Sequence, residues 1–202
     1  MTDAEIWQSA VNTWETGAAE LLRLKETVDP SAFQECVKVI ANCKGRILTA
    51  GVGTSGAAAK KIAHTLCCVE RPAYFLSPGD AVHGELGAAQ KGDVAIVISK
   101  GGGTHEIVHI LPALRAKGVY IIGVTENEHS MLAQKSDLLM KVKIQREADS
   151  FNMLATTSTL TVIALFDAVA IALMEYTHYT KEQFALIHPG GAVGERLLRN
   201  NY

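Results

Sequence analysis

The sequence predicts an α/β domain built as a doubly wound, five-stranded parallel sheet flanked by helices. Three observations carry that prediction. Five short apolar or β-branched runs recur along the chain: "RILTAG" (46–51), "AYFL" (73–76), "VAIVIS" (94–99), "YIIGVT" (120–125) and "LLMKVK" (138–143). Their continuous apolar character is that of strands buried on both faces. Helical segments lie between most of them, and strand, glycine-bearing turn and helix in repetition is the pattern of parallel strands joined by crossovers. Finally, 202 residues with 48% hydrophobic and 20% charged content are enough for one sizeable core and short for two, so residues 1–202 are read as a single domain.

The flanking elements follow in order. Residues 4–27 carry Ile6, Val11, Trp14, Ala18, Leu21 and Leu22 at helical spacing, and "DPSAFQECVKVIANC" opens a second helix with Asp29 or Ser31 as its cap. Helices are also expected after the first strand and over 105–117. Two long helices, 156–175 and 180–199, close the chain. The first is almost wholly apolar after its start, which predicts a subunit interface.

Charge and composition narrow the function. A net charge of −2 and a pI near 6.4 give no electrostatic reason to expect nucleic acid or an anionic membrane as partner. The N-terminal "MTDAEIWQSA" is acidic where a signal peptide is basic, and no apolar run is read as approaching the roughly 18 residues of a spanning helix. A cytoplasmic protein without membrane contact is expected. Cys36, Cys43, Cys67 and Cys68 lack zinc-knuckle spacing and are read as reduced thiols, mostly in the core.

Four glycine- or hydroxyl-rich stretches carry the chemistry. In "AGVGTSG" (50–56), Gly51, Gly53 and Gly56 have the G-x-G-x-x-G spacing after a strand, which fits dinucleotide binding or simply a tight strand-to-helix turn. The acidic residue that takes a ribose at the end of the second strand is missing. Thr54 and Ser55 place two hydroxyls at a helix N-terminus, where free amides and the helix dipole favour an anion. "SKGGGTHE" (99–106) repeats the arrangement: Ser99, Lys100, Gly101, Gly102, Gly103 and Thr104 make either a phosphate nest with hydroxyls and a cation at its edge or a flexible loop. The hydroxyls of Thr156 to Thr159, among them Thr157 and Ser158, either cap a helix or face the same crevice. His188, before a Pro-Gly-Gly turn, is either structural or placed for proton transfer.

The stretches "AGVGTSG", "HGELG", "ISKGGGTHEI", "EAD…ATTST" and above all "FALIHPGGAVGERLL" resemble the sugar isomerase (SIS) domain of the arabinose 5-phosphate isomerase family, from about residue 8 to residue 200. The resemblance implies a flavodoxin-like three-layer sandwich without CBS domains. It also implies reversible conversion of D-ribulose 5-phosphate to D-arabinose 5-phosphate through an enediol, feeding lipopolysaccharide or capsule synthesis, with no cofactor and no metal. By the same resemblance Glu147 and His83 are active-site groups for proton transfer, His188 opens the sugar ring from a neighbouring subunit of a homo-oligomer, a tetramer in the family pattern, and Ser55, Ser99 and Thr104 hold phosphate. Two positions depart from the pattern: Thr54 stands where the family has lysine, and Gly103 where it has glutamate. Lys100 is then expected to restore positive charge at the phosphate, and Glu85 or Glu106 to replace the carboxylate if either side chain points into the crevice. An isomerase or lyase for another sugar phosphate, a non-catalytic sugar-phosphate sensor and a dinucleotide enzyme are the alternatives.

Overall fold

In a computed structural model, which describes residues 1–190, eight helices and five strands alternate as the sequence predicts. α1 (Asp3–Thr27) and α2 (Pro30–Asn42) precede β1 (Ile47–Gly51) and α3 (Thr54–Cys67). β2 (Ala73–Phe75) leads into the short α4 (Pro78–Ala81), and β3 (Val94–Ile98) into α5 (His105–Ala116). β4 (Tyr120–Thr125), α6 (Met131–Lys135), β5 (Leu138–Lys141), α7 (Thr157–Tyr176) and α8 (Lys181–Ile187) follow. Of the predicted helix 180–199, residues 191–199 lie outside the described residues.

The strands form one parallel sheet in the order β2-β1-β3-β4-β5. Winding outward from β1 in one direction and from β3 in the other sends the helices after these two strands to opposite faces. Ala59, Ile62 and Leu66 of α3 pack with α2 and α7 against Ile47, Ile96 and Ile98. Ile107, Ile110, Leu111 and Leu114 of α5 pack against Leu48, Ala95 and Val97 on the other side. Successive strand side chains point to opposite faces, so every residue of β1 and β3 is buried, which is why those runs read as continuously apolar. The crevice between β1 and β3 at their C-terminal ends is the switch point where ligands bind in such sheets.

Local chemistry sets the element ends. Asp29, one of the two expected caps, accepts the amides of Ser31 and Ala32 at the start of α2. Gly51 and Gly56 make the β1–α3 turn possible, since a Cβ on Gly51 lies 2.6 Å from the Ser55 carbonyl and one on Gly56 lies 2.8 Å from the Gly51 oxygen. Close backbone packing alone therefore requires two of the three glycines in that motif.

Two expectations need correction. Only Cys36 is buried; Cys43 and Cys68 are intermediate and Cys67 is exposed, so these thiols, all free, are mostly outside the core. The apolar run of α7 does reach membrane-spanning length, 20 residues with a mean hydropathy of 1.9. Packing within the chain accounts for part of its apolar character, since Leu165, Phe166, Val169 and Leu173 are buried in the α1–α2–α3 layer, but only 39% of that apolar window is buried. Leu160 and Ile171 remain exposed on its outer side.

Candidate active site

The C-terminal strand ends open into a small cleft of about 90 Å³. Thr54 and Ser55 line it from the start of α3, Ser158 and Thr159 from the first turn of α7. The sheet contributes mainly residues two apart, Ile98 and Lys100, Val124 and Glu126, Val142 and Ile144, with Thr125 at the strand end beside them. That spacing is the pleat, which puts alternate side chains on the α3–α7 face. The floor is apolar and the rim carries hydroxyls, one ammonium and one carboxylate.

Two helix N-termini flank this end of the sheet. Gly53 caps α3 with φ +59 and offers no side-chain acceptor, and among the described residues the amides of Thr54 and Ser55 find no partner, the first helical bonds being Gly56 to Val52 and Ala57 to Gly53. Thr104 caps α5 without a side-chain bond to the helix; its hydroxyl pairs instead with Ser99 Oγ at 2.8 Å. Unsatisfied amides at both termini favour an anion there.

The glycine loop is more ordered than a three-amide nest. The amide of Gly102 donates to the Ser99 carbonyl at 3.0 Å and to Ser99 Oγ at 3.1 Å, and its carbonyl accepts from Leu132. Gly102 is buried with φ +70, its α-carbon against Ser130 and Thr125, whereas Gly101 and Gly103 are exposed with open space beside them. The expected nest therefore narrows to Gly101 and Gly103, with Gly102 as the internal pivot.

Glu147 is fully buried behind the cleft wall. One oxygen accepts from Lys100 Nζ at 2.8 Å and from the Ser158 hydroxyl; the other accepts the amides of Thr156 at 3.2 Å and Ser158 at 3.1 Å. Its carboxylate thus caps α7, whose own N-cap Thr156 makes no side-chain bond. The segment is held from both sides: the Glu147 amide donates to Asn152 Oδ1 at 2.6 Å, and the buried Glu20 of α1 accepts the amide of Gln145 at 3.1 Å. Burial pushes the Glu147 carboxyl up, but the Lys100 ammonium together with the Ser158 hydroxyl and amide outweighs it, so the carboxyl sits below its ordinary value. Glu147 is held as an anion.

The other expected residues scatter. Lys100, anticipated at the phosphate, is drawn onto Glu147. Thr157 is buried and does not line the cleft, because one step along a helix turns a side chain by about 100°; Ser158 and Thr159 take that place. Ser99 is buried with its hydroxyl engaged inside the loop. Glu85 accepts the Ser77 amide at 3.0 Å in its own loop, and Glu106 is exposed on α5; neither lines the cleft. His83 is exposed on the turn after α4, outside the cleft lining.

His188 lies toward the opposite end of the strands. Its ring stacks on Phe184 and its Nδ1 is 2.9 Å from the Phe184 carbonyl, while Gln183 in the same helix bonds Glu70, just beyond the C-terminal end of α3. The 14 residues of α3, about 21 Å of helix, separate that end from Thr54. Within one chain His188 and Glu147 are not brought together. The sequence reading missed Glu126, although its place immediately after a parallel strand marks it as a cleft residue.

Residues 40–172 match the SIS domain family. Arabinose 5-phosphate isomerase KpsF of Escherichia coli O6:H1 is 37% identical over 181 residues, 90% of this chain and 55% of that protein. Arabinose 5-phosphate isomerase KdsD of Pseudomonas aeruginosa is 40% identical over 166 residues, 82% of this chain and 51% of that protein. The chain spans about half the length of these relatives. Among solved structures, a Listeria monocytogenes protein assigned provisionally to the sugar-phosphate isomerases is 50% identical with a TM-score of 0.93, covering 94% of this chain and 100% of that one. An Escherichia coli protein in complex with arabinose 5-phosphate is 34% identical with a TM-score of 0.89, at 94% and 100% coverage. With the β2-β1-β3-β4-β5 sheet order, the two flanking helix N-termini and the match over residues 40–172, this chain belongs to the SIS domain family.

Proposed function

We propose that the chain is an aldose–ketose isomerase that interconverts D-ribulose 5-phosphate and D-arabinose 5-phosphate through an enediol, as a single SIS domain over residues 1–202 in a cytoplasmic homo-oligomer, a tetramer in the family pattern. The observation that carries this reading is the Lys100–Glu147–Ser158 constellation on the wall of a cleft that the N-terminus of α3 borders. The helix termini offer amides for the phosphate. The apolar floor takes the carbon chain, and Lys100 and Ser158 stand where a carbonyl oxygen gains negative charge as the adjacent carbon loses its proton. Donors fixed in advance at that oxygen lower the barrier most; the buried, ionised Glu147 fixes them. The relatives named for this activity and the neighbour holding arabinose 5-phosphate support the choice of substrate. Gly101, Gly103, Thr104, Gly53, Thr54 and Ser55 belong to the phosphate end. His83 and His188 are assigned to oxygen-to-oxygen proton transfer and ring opening.

Steady-state turnover of ribulose 5-phosphate, compared with ribose 5-phosphate and hexose phosphates, tests the reading. Arabinose 5-phosphate as the preferred product supports it, and tight binding of sugar phosphate without conversion replaces it with a sensor.

Assembly gives a separate prediction. His188 sits a helix length from its own cleft, and Trp7, Trp14 and Leu22 of α1 and Ile171 of α7 are exposed apolar groups. If His188 serves a neighbour's cleft, mixing inactive Glu147→Gln protein with inactive His188→Ala protein regains activity as hybrid sites form. A monomeric mass by light scattering at working concentration contradicts it.

A further inference from the structure

We infer that Glu126 is the carboxylate that takes the carbon-bound proton in this cleft, exchanges it with solvent and delivers a proton to the neighbouring carbon. The inference rests on the isomerase reading above and supplies the base that reading leaves unassigned. Glu147 is poorly suited to that role, because its side chain has no exposed surface, both oxygens are fully engaged, and it does not line the cleft. A base must reach its proton with a free lone pair.

Glu126 meets both conditions. Its amide donates to the Lys100 carbonyl at 3.0 Å, which carries the pairing of β3 and β4 one step past the end of β4. Alternation along that strand puts Val124 and Glu126 on the same face as Ile98 and Lys100, the face the cleft occupies. Among the described residues its carboxylate makes no hydrogen bond and no ion pair. It is also the one carboxylate among the cleft's lining residues, set against the end of the strand that bears Lys100.

The step balances without a cofactor. Starting from the ketose, a Glu126 oxygen takes a proton from C1, and the C1–H electron pair becomes the C1=C2 bond. The C2=O π pair moves onto O2, which gains a proton from the donors at that oxygen. Collapse of the enediol forms C1=O1 as O1 gives up its proton, and Glu126 returns a proton to C2. Carbon is neither oxidised nor reduced overall, and every group ends in its starting protonation state once the proton from O1 restores the donor.

Four proteins test this on ribulose 5-phosphate: wild type, Glu126→Gln, Glu126→Asp and Glu128→Gln, the last removing a charge two residues away that pairs with Lys141 on the surface. Glu126→Gln is expected to lose about 10²- to 10⁴-fold in kcat with KM and Tm close to wild type, and to lose solvent-deuterium exchange at C1 in the same proportion. Glu126→Asp is expected to keep part of the activity and Glu128→Gln all of it. Wild-type kcat in Glu126→Gln, or a rise in KM alone, overturns the assignment while leaving the isomerase reading intact. A wild-type chain that binds the sugar phosphate but never converts it overturns both.

Discussion

Replacing Glu147 with glutamine is expected to lower kcat on ribulose 5-phosphate by about 10²- to 10⁴-fold and to destabilise the fold by about 1–2 kcal/mol. The amide keeps the shape of the carboxylate, and its oxygen still accepts the Thr156 and Ser158 amides. Its NH2 group, however, then faces Lys100 Nζ and the Ser158 hydroxyl, which both donate to Glu147. Lys100 is released from the cleft wall, and the donors at the developing enediolate oxygen lose their fixed positions. Because Lys100 is 41% exposed, it regains water, and the loss of stability stays well below that of a charge stranded in a core. The pH dependence follows from the sign of the Glu147 shift. A carboxyl held below its ordinary value when folded adds stability above that ordinary value and loses it as the pH falls through the folded one. The gap in unfolding free energy between wild type and Glu147→Gln should therefore shrink as the pH is lowered from 7 into the acid range, as read by urea unfolding. Full activity in the variant removes Glu147 from the mechanism.

Gly102→Val is expected to be the most destabilising substitution in the glycine loop, by about 3 kcal/mol or more, with Tm lower by roughly 10 °C. A Cβ at Gly102 meets Ser130 Oγ at 2.0 Å and Ser130 Cβ at 2.4 Å, and the backbone there has φ +70, which a β-branched residue resists. Ser130 caps α6 through the Ala133 amide, so the clash passes into the β4–α6 connection as well as the loop. Gly103→Ala is the companion, because nothing lies within 4 Å of its Cβ. It should leave Tm near wild type and weaken sugar-phosphate affinity only to the extent that an anion approaches that backbone. An unchanged Tm in Gly102→Val contradicts the pivot role of this glycine.

The sheet was legible because burial on both faces writes itself into continuous apolar runs, and the strand ends fell within two residues of the predicted ones. Positions set by rotation or by distant pairing were not. Thr157 and Ser158 are indistinguishable in composition, yet one turns into the core and the other onto the cleft. The Lys100–Glu147 pair joins positions 47 residues apart, so the loop lysine reads from sequence as a phosphate ligand when its charge answers a buried carboxylate. Gly102 reads as an anion-binding glycine and serves Ser130 packing instead. Glu126 was legible in principle, since the residue just past a parallel strand belongs to the ligand crevice, but the glycine-rich stretches drew the reading to β1 and β3. The place of His188 followed from neither spacing nor periodicity; it depends on α8 docking near Glu70.

The central claim is that this cleft moves a proton between adjacent carbons of a sugar phosphate. Ribulose 5-phosphate incubated with the protein in heavy water and followed by NMR tests it most directly. The expected result is arabinose 5-phosphate carrying deuterium at C2, with deuterium also entering C1 of the remaining ketose. Unchanged ribulose 5-phosphate, or a product fully protiated at C2, would contradict an enediol formed in this site.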